Sequence, residues 1–474
     1  MKRVSVKKNA FLNVIKQICS ILFPLITYPY ISRILGSSSY GIYSFADSIV
    51  GYAVLVADLG VTTYAIREGA KIRDNQNAIN DFASEVFSIN VVSTLIAYAL
   101  LVIATLASAR IMADKNVVFI RSLIILLTTV GMDWINNIYE DFKYITIRYI
   151  AFQTISLVLM FIFVRSSKSL YAYTLITVIA VGGGNLLNII YIRKYVNVKL
   201  KFSRLKQHIK PILILFANNV AVTIYANSDI TMLGFYSSNN AVGVYSLASK
   251  IYSLAKLMIN AVVMVMVPRL SYVVNQKEKY EKYVFSTAKY LIYICLPIVC
   301  GSAILSKQIL YIVGGNEYLT GSMSLSILSF AIIGAVGGSF FSNCVLLEHK
   351  KEKFILISTS ISAVLNVGIN IFMIPKFGIN GAAITTLIAE CVDCVLEAIY
   401  SREFISISKL ISKDYICCFI GSISVLVICC LIKSIISAPI MCVLVSGFLS
   451  AVVYVYFISK DKDIRRELLA FIDR

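Results

Sequence analysis

Apolar residues run through this chain in blocks of about 20, the length an α-helix needs to cross a bilayer, with short polar segments between them. Fourteen such blocks are predicted as helices: 10–35, 40–66, 85–109, 117–139, 145–164, 170–192, 211–235, 241–267, 284–305, 322–347, 354–374, 380–400, 414–431 and 437–458. The second is not apolar all round. At about 100° per residue, Ser44, Asp47, Ser48, Gly51, Leu55, Asp58 and Thr62 share one stripe. An acidic stripe on so apolar a helix must face protein or water.

The stretch leading into that helix returns about two hundred residues later. Leu35-Gly36 followed by Tyr40-Gly41-Ile42-Tyr43-Ser44 is echoed by Leu233-Gly234 followed by Val242-Gly243-Val244-Tyr245-Ser246. The echoed stripe carries Ser246, Lys250, Ser253 and Asn260, with Lys256 beside it. One half therefore presents acids where the other presents bases and amides. The repeat predicts an all-α integral membrane protein of two pseudo-symmetric six-helix lobes, residues 1–200 and 201–405. Two C-terminal helices and a basic tail, 406–474, have no echo. Corresponding blocks run in the same direction, so the repeat is parallel, about an axis along the membrane normal.

Orientation follows from the cations. Counting Arg148, near the start of the fifth block, with the loop before it, the N-terminus, the even-numbered loops and the C-terminal tail hold 31 Lys and Arg, against 7 in the odd-numbered loops. Lys and Arg mark cytoplasmic loops, so both termini are expected in the cytoplasm. The first block follows MKRVSVKKNA and is long and proline-bearing, without a small-residue cleavage site; it is read as an uncleaved span.

Composition agrees: 58% of residues are hydrophobic and 15% charged, where soluble domains sit near half and a quarter. A formal charge of +19 would suggest nucleic acid on a soluble domain, but here the bases are spread over short loops. The eleven cysteines read as small apolar helix residues, the Cys391–Cys394 pair included. The two histidines, His208 and His349, lie in basic loops and suggest no metal or catalytic site. No P-loop, nucleophile elbow or zinc-protease motif occurs, so no catalytic residue is assigned. Gly182-Gly183-Gly184 lies inside a block and is read as a close helix contact.

The ionisable and amide groups inside the blocks are the candidate site. An ionised residue deep in a span costs roughly 2.5–3.5 kcal/mol on insertion scales. Asp47, Asp58, Lys250 and Lys256 are therefore expected to face a charged cavity or one another. Arg33 closes the first block; Asn13, Gln17, Ser20 and Thr27 share one face of it, and Pro24 and Pro29 favour a bend. Asn218 and Asp229 lie in the seventh block and Asn260 in the eighth. Glu390, Asp393 and Glu397 form an acidic face on the twelfth. Asp58, Asp229 and Glu390 are the candidates for ion coupling, to H+, Na+ or the membrane potential. No metal site or other cofactor is expected.

The chain resembles the oligosaccharide flippase family, within the superfamily that also holds multidrug/toxin extrusion transporters and lipid-linked peptidoglycan precursor flippases. The resemblance rests on Ile31-Ser32-Arg33-Ile34-Leu35-Gly36 with Tyr40-Gly41-Ile42-Tyr43, and on Trp134 with Glu140-Asp141-Phe142-Lys143-Tyr144-Ile145. It rests also on Gly243-Val244-Tyr245-Ser246 leading to Pro268-Arg269-Leu270-Ser271, on Gly315-Asn316-Glu317-Tyr318, and on Ile374 to Ala383. It implies a central cationic cavity, alternating access, and a polyprenyl-diphosphate-linked oligosaccharide moved across the bacterial cytoplasmic membrane. Lys250, Lys256 and Arg33 would then meet the diphosphate, and Asn218 and Asn260 the sugar hydroxyls. Membrane lipids, a polysaccharide polymerase and a chain-length regulator are the implied partners. Two rivals stay open: an ion-coupled exporter of small cations using Asp47, Asp58 and Glu390, and a membrane glycosyltransferase or polymerase of the same pathway.

Overall fold

The computed structural model describes residues 6–410 and 415–460; the side chains of 6–11, 13 and 218 fall outside that description, as do Lys413 and the basic tail. Among the described residues every regular element is helical, and eleven helices are long and apolar enough to cross a membrane. The chain divides into two compact units, Met1–Gly243 and Val244–Arg474.

In the first unit, α1 (Val6–Asp58) runs 53 residues, about 80 Å if straight and more than twice a bilayer's hydrocarbon core. It is two helices joined at Gly36, whose φ of 73° and ψ of 167° leave the helical region; only glycine takes that conformation without strain. The helix continues through Pro24 and Pro29, and its non-helical residue is Gly36. At the far end Leu59 and Gly60 both take positive φ, and the chain turns into the amphipathic α2 (Val61–Ile72). Then follow α3 (Gln76–Ala107), α4 (Ala109–Ala113), α5 (Lys115–Gly131), α6 (Asp133–Ile138) and α7 (Phe142–Phe163). The fourth predicted block, 117–139, is thus divided at Met132, which is left-handed with φ 46°. Asn188 Nδ2 donates to Gly131 O at 2.6 Å, satisfying a carbonyl that the helix end leaves without an internal partner.

After α7 come α8 (Leu170–Val178), a π-helical turn at Ile179–Gly183, and α9 (Gly184–Tyr191). Gly182, Gly183 and Gly184 lie against Leu127, Phe152 and Arg148; the lack of Cβ atoms lets three neighbours close in, as the glycine run predicts. The last full helix of this unit is α10 (Leu205–Tyr236), and α11 (Asn239–Val273) begins in it. One apolar core of this unit gathers Tyr64, Phe82, Trp134, Ile135, Ile192 and Ile212.

The second unit continues with α12 (Lys277–Ile304), α13 (Ser306–Gly314), α14 (Ser322–Phe341), α15 (Glu352–Ser401), α16 (Ile416–Ile435) and α17 (Pro439–Ile458). α15 is also two helices, joined at Gly378, whose φ of 54° and ψ of −130° are glycine's. Tyr293, Cys418, Cys429, Cys442 and Tyr454 form an apolar cluster of α12, α16 and α17, and all eleven cysteines are free. Outward positions such as Leu95, Leu106, Phe119, Val364, Phe372 and Phe448 are exposed and apolar, a surface suited to acyl chains.

Candidate functional site

The intramembrane charges are gathered inside each unit and mostly paired. In the first unit Arg121 on α5 donates from Nε to Asp47 Oδ1 on α1 at 2.7 Å. Arg148 on α7 donates to Asp133 on α6 at 2.5 Å, and Asn188 holds the same oxygen at 3.2 Å. Asn136 in turn donates to Asn188 at 2.7 Å. Each pairing offsets the cost of an isolated ion in low dielectric.

Asp58 has a local duty. Its carboxylate accepts from Gly60 N at 3.2 Å, Thr62 N at 3.4 Å and Thr62 Oγ1 at 2.5 Å, so it caps the first turn of α2, where unpaired N–H groups and the helix dipole favour an anion. The same residue lines a cavity of about 270 Å³ with Thr62, Asn90, Thr129, Asp133 and Asn185. A second cavity of about 80 Å³, which Asp133 also lines, is bounded by Lys16, Arg148 and Tyr149. The first unit therefore holds a hollow with two carboxylates, hydroxyls and amides on its wall.

In the second unit Lys256 on α11 donates to Glu390 Oε1 on α15 at 2.8 Å, and Tyr252 Oη donates to the same oxygen at 2.5 Å. Lys250 stands half-buried on α11. Asn260 is half-buried on the same helix, and its Oδ1 has no hydrogen-bond partner among the described residues. Arg33 is exposed on α1 and Asp229 buried on α10. Asn218 belongs to α10, with its side chain outside the described residues. Among the described residues no group of three His, Cys, Asp or Glu side chains is placed to hold a metal ion.

A family model described as polysaccharide biosynthesis protein matches residues 6–274. The chain belongs to that family. A putative O-antigen transporter of Escherichia coli K12 is 24% identical over 416 residues, 85% of this chain and 98% of the relative. The capsular polysaccharide biosynthesis protein CapF of Staphylococcus aureus is 25% identical over 394 residues, 80% of this chain and 94% of the relative. Among solved structures, the lipid II flippase MurJ in an inward closed conformation shares the fold. Its TM-score is 0.78 at 17% identity, covering 97% of this chain and 99% of that one.

In this family member the structure brings Lys256 and Glu390 together; Asp47 and Asp58 stay in the first unit with other partners. Asp133 and Arg148 escaped the sequence reading, which placed Arg148 in a loop; the structure buries it on α7. A signal existed, since Asp133, Asn136, Asn185 and Asn188 are polar residues inside apolar blocks. His208 also proves not to be a loop residue. It is buried on the first turns of α10, with Nδ1 2.7 Å from Tyr64 Oη and Nε2 3.0 Å from Glu85 Oε2.

Proposed function

We propose that this chain is a flippase. It carries polyprenyl-diphosphate-linked oligosaccharide repeat units from the cytoplasmic to the outer leaflet of the bacterial cytoplasmic membrane, for surface polysaccharide assembly, by alternating access. The observation that carries the reading is that a putative O-antigen transporter and a capsular polysaccharide biosynthesis protein of two bacteria each align over at least four-fifths of this chain and nearly all of their own length. Fixed charges and amides held inside helical bundles add to it, because a polar headgroup crossing hydrocarbon needs such a lining.

A count of fourteen spans is supported by the breaks at Gly36 and Gly378, which make two of the eleven long helices double. The 17-residue α5 supplies one more. On this reading residues 1–200 and 201–405 are the two lobes, 406–474 the addition, and both termini are cytoplasmic. Lys250, Lys256 and Arg33 attract the diphosphate, Asn218 and Asn260 meet sugar hydroxyls, and Asp47 and Asp58 belong to the polar wall. Asp58, Asp229 and Glu390 are the ion-coupling set, driven by protons, sodium or the membrane potential. The partners are the lipid-linked oligosaccharide, membrane lipids, a polymerase and a chain-length regulator. Proteoliposomes holding the purified chain and a fluorescent polyprenyl-diphosphate oligosaccharide test it. Label should become accessible to an external quencher faster than in protein-free vesicles, and an equal rate with folded protein would overturn the proposal.

A further inference from the structure

The acidic face of α15 contains more carboxylate than its surroundings balance. Glu390, Asp393 and Glu397 sit within about 60° of azimuth over two turns. Lys256 and Tyr252 of α11 both donate to Glu390; the Lys256 charge also reaches Asp393 and Glu397 but, among the described residues, makes no ion pair with either. Ser358 is the hydroxyl at Glu397, 3.4 Å from Oε1, and its one proton is shared with Ile355 O at 3.0 Å. Facing the two acids is α14, Ser322–Phe341, which holds no ionisable residue.

The seam between α14 and α15 is built for close approach. Gly334 lies against the Glu390 backbone and Gly337 against Cys394 Sγ. A Cβ on Gly338 would stand 3.3 Å from Glu397 Oε2 and 3.4 Å from Asp393 Oδ2, so both carboxylates touch one bare spot. Glu397 is 1% exposed. Its Oε2 and Asp393 Oδ1 are buried with no hydrogen-bond partner among the described residues. Two adjacent carboxylates in this setting cannot both ionise: like charge and desolvation each oppose the second negative charge, and buried acceptors without donors add their own cost. A proton on one of them removes a charge and supplies a donor.

We propose that Asp393 and Glu397 form a further proton-binding site in the second unit, distinct from the Lys256–Glu390 pair and additional to the coupling set of Asp58, Asp229 and Glu390, and that its loading is coupled to the flippase cycle. Asp393, half-buried, takes the proton from water, and Glu397, fully buried, keeps it. With the proton bound, α15 closes on the glycine strip of α14; without it, two carboxylates demand water and the seam loosens. The coupling to transport rests on the flippase reading; the proton site itself does not.

The two parts are separable by experiment. Infrared difference spectra of the purified full chain in detergent, taken between acid and alkaline pH, should show a protonated-carboxyl band. Glu397→Gln should remove it and Asp393→Asn should shift its midpoint, with helix content by circular dichroism unchanged. Asp393→Glu, which keeps a carboxylate, should retain the band and guards against misfolding of the amide variants. A band unaltered by both amide variants, or one displaced by sodium at fixed pH, would overturn the site. In proteoliposomes carrying the labelled lipid, an imposed pH gradient should accelerate flipping, and Glu397→Gln should abolish the acceleration. A band present without any acceleration would overturn the coupling alone.

Discussion

Gly41 and Gly243 lie face to face, each where a side chain would collide with a carbonyl four residues before its partner. A Cβ on Gly41 would run into Asn239 O, and one on Gly243 into Ser37 O. The same sequence offset separates Ser37 from Asn239 and Gly41 from Gly243, so the contact is reciprocal, as across a two-fold axis. Asn240 adds a 2.5 Å hydrogen bond to Ser37 Oγ. The repeat seen in the sequence meets itself here through glycine on both sides, and the obstacle to any side chain is backbone. Overpacking costs typically about 1–3 kcal/mol, and Gly41→Ala or Gly243→Ala should lie at or above the top of that range. A detergent melt in which either variant matched wild type would contradict this.

Lys256 and Glu390 invite a test that separates structure from transport. Removing one partner of a buried pair strands the other charge, at about 3–5 kcal/mol where burial is complete. Glu390, the charge that Lys256→Met would strand, is 5% exposed at its side chain, so Lys256→Met should cost about that much, and more than the double variant Lys256→Met/Glu390→Gln. If Lys256 also serves the diphosphate, the double variant recovers the melting temperature and still fails to export glycan in a flippase-null strain. Recovery of both would make the lysine a structural partner only.

What could be read from the sequence was what periodicity controls. The apolar blocks, the inward stripes and the glycine repeat each depend on residues close in the chain. The pairings were out of reach because they depend on tertiary approach: Asp47 finds Arg121 across 74 positions and Lys256 finds Glu390 across 134. Asp58 was expected to face a charged cavity or an ion-pair partner; it lines a cavity, and it also caps α2, a duty set by the turn at Leu59 and Gly60. His208 was misplaced because a helix start rich in Lys looks like a loop; what holds it is Glu85 and Tyr64, both far upstream.

Asp141, in the turn before α7 and outside the spans, should give the protein an acid-sensitive stability. Burial pushes its carboxyl up, but hydrogen bonds from Tyr191 at 2.6 Å, Tyr195 at 2.8 Å, Tyr144 N and Lys194 outweigh that and hold it below the ordinary aspartate range. A depressed pKa means the folded state favours the anion. The stabilisation is therefore present above the unfolded value near 3.9 and is lost as pH falls through the folded one. Asp141→Asn should flatten the acid limb of a stability–pH curve below about pH 4 and lower stability at neutral pH by about 1–3 kcal/mol. Parallel curves for variant and wild type would remove Asp141 from this role.

The segment between α9 and α10 should be the other place where small side chains matter more than their size suggests. Its backbone N–H groups at Asn197, Lys199 and Lys201 donate to Asn80 Oδ1, Ser84 Oγ and Ser88 Oγ of α3, at 2.9, 3.1 and 2.7 Å. Steps of two along extended chain advance about 6.6 Å, and steps of four along a helix about 6 Å, so the two ladders stay nearly in phase for three rungs. Glu85 then fastens the far end, accepting from Ser203 Oγ at 3.1 Å. Ser84→Ala and Ser88→Ala should each cost about 1 kcal/mol and speed amide exchange at Lys199 and Lys201. Glu85→Ala should cost more, because it also leaves His208 without its carboxylate. Exchange rates in this segment that ignored all three substitutions would show that the strap is held by something other than these side chains.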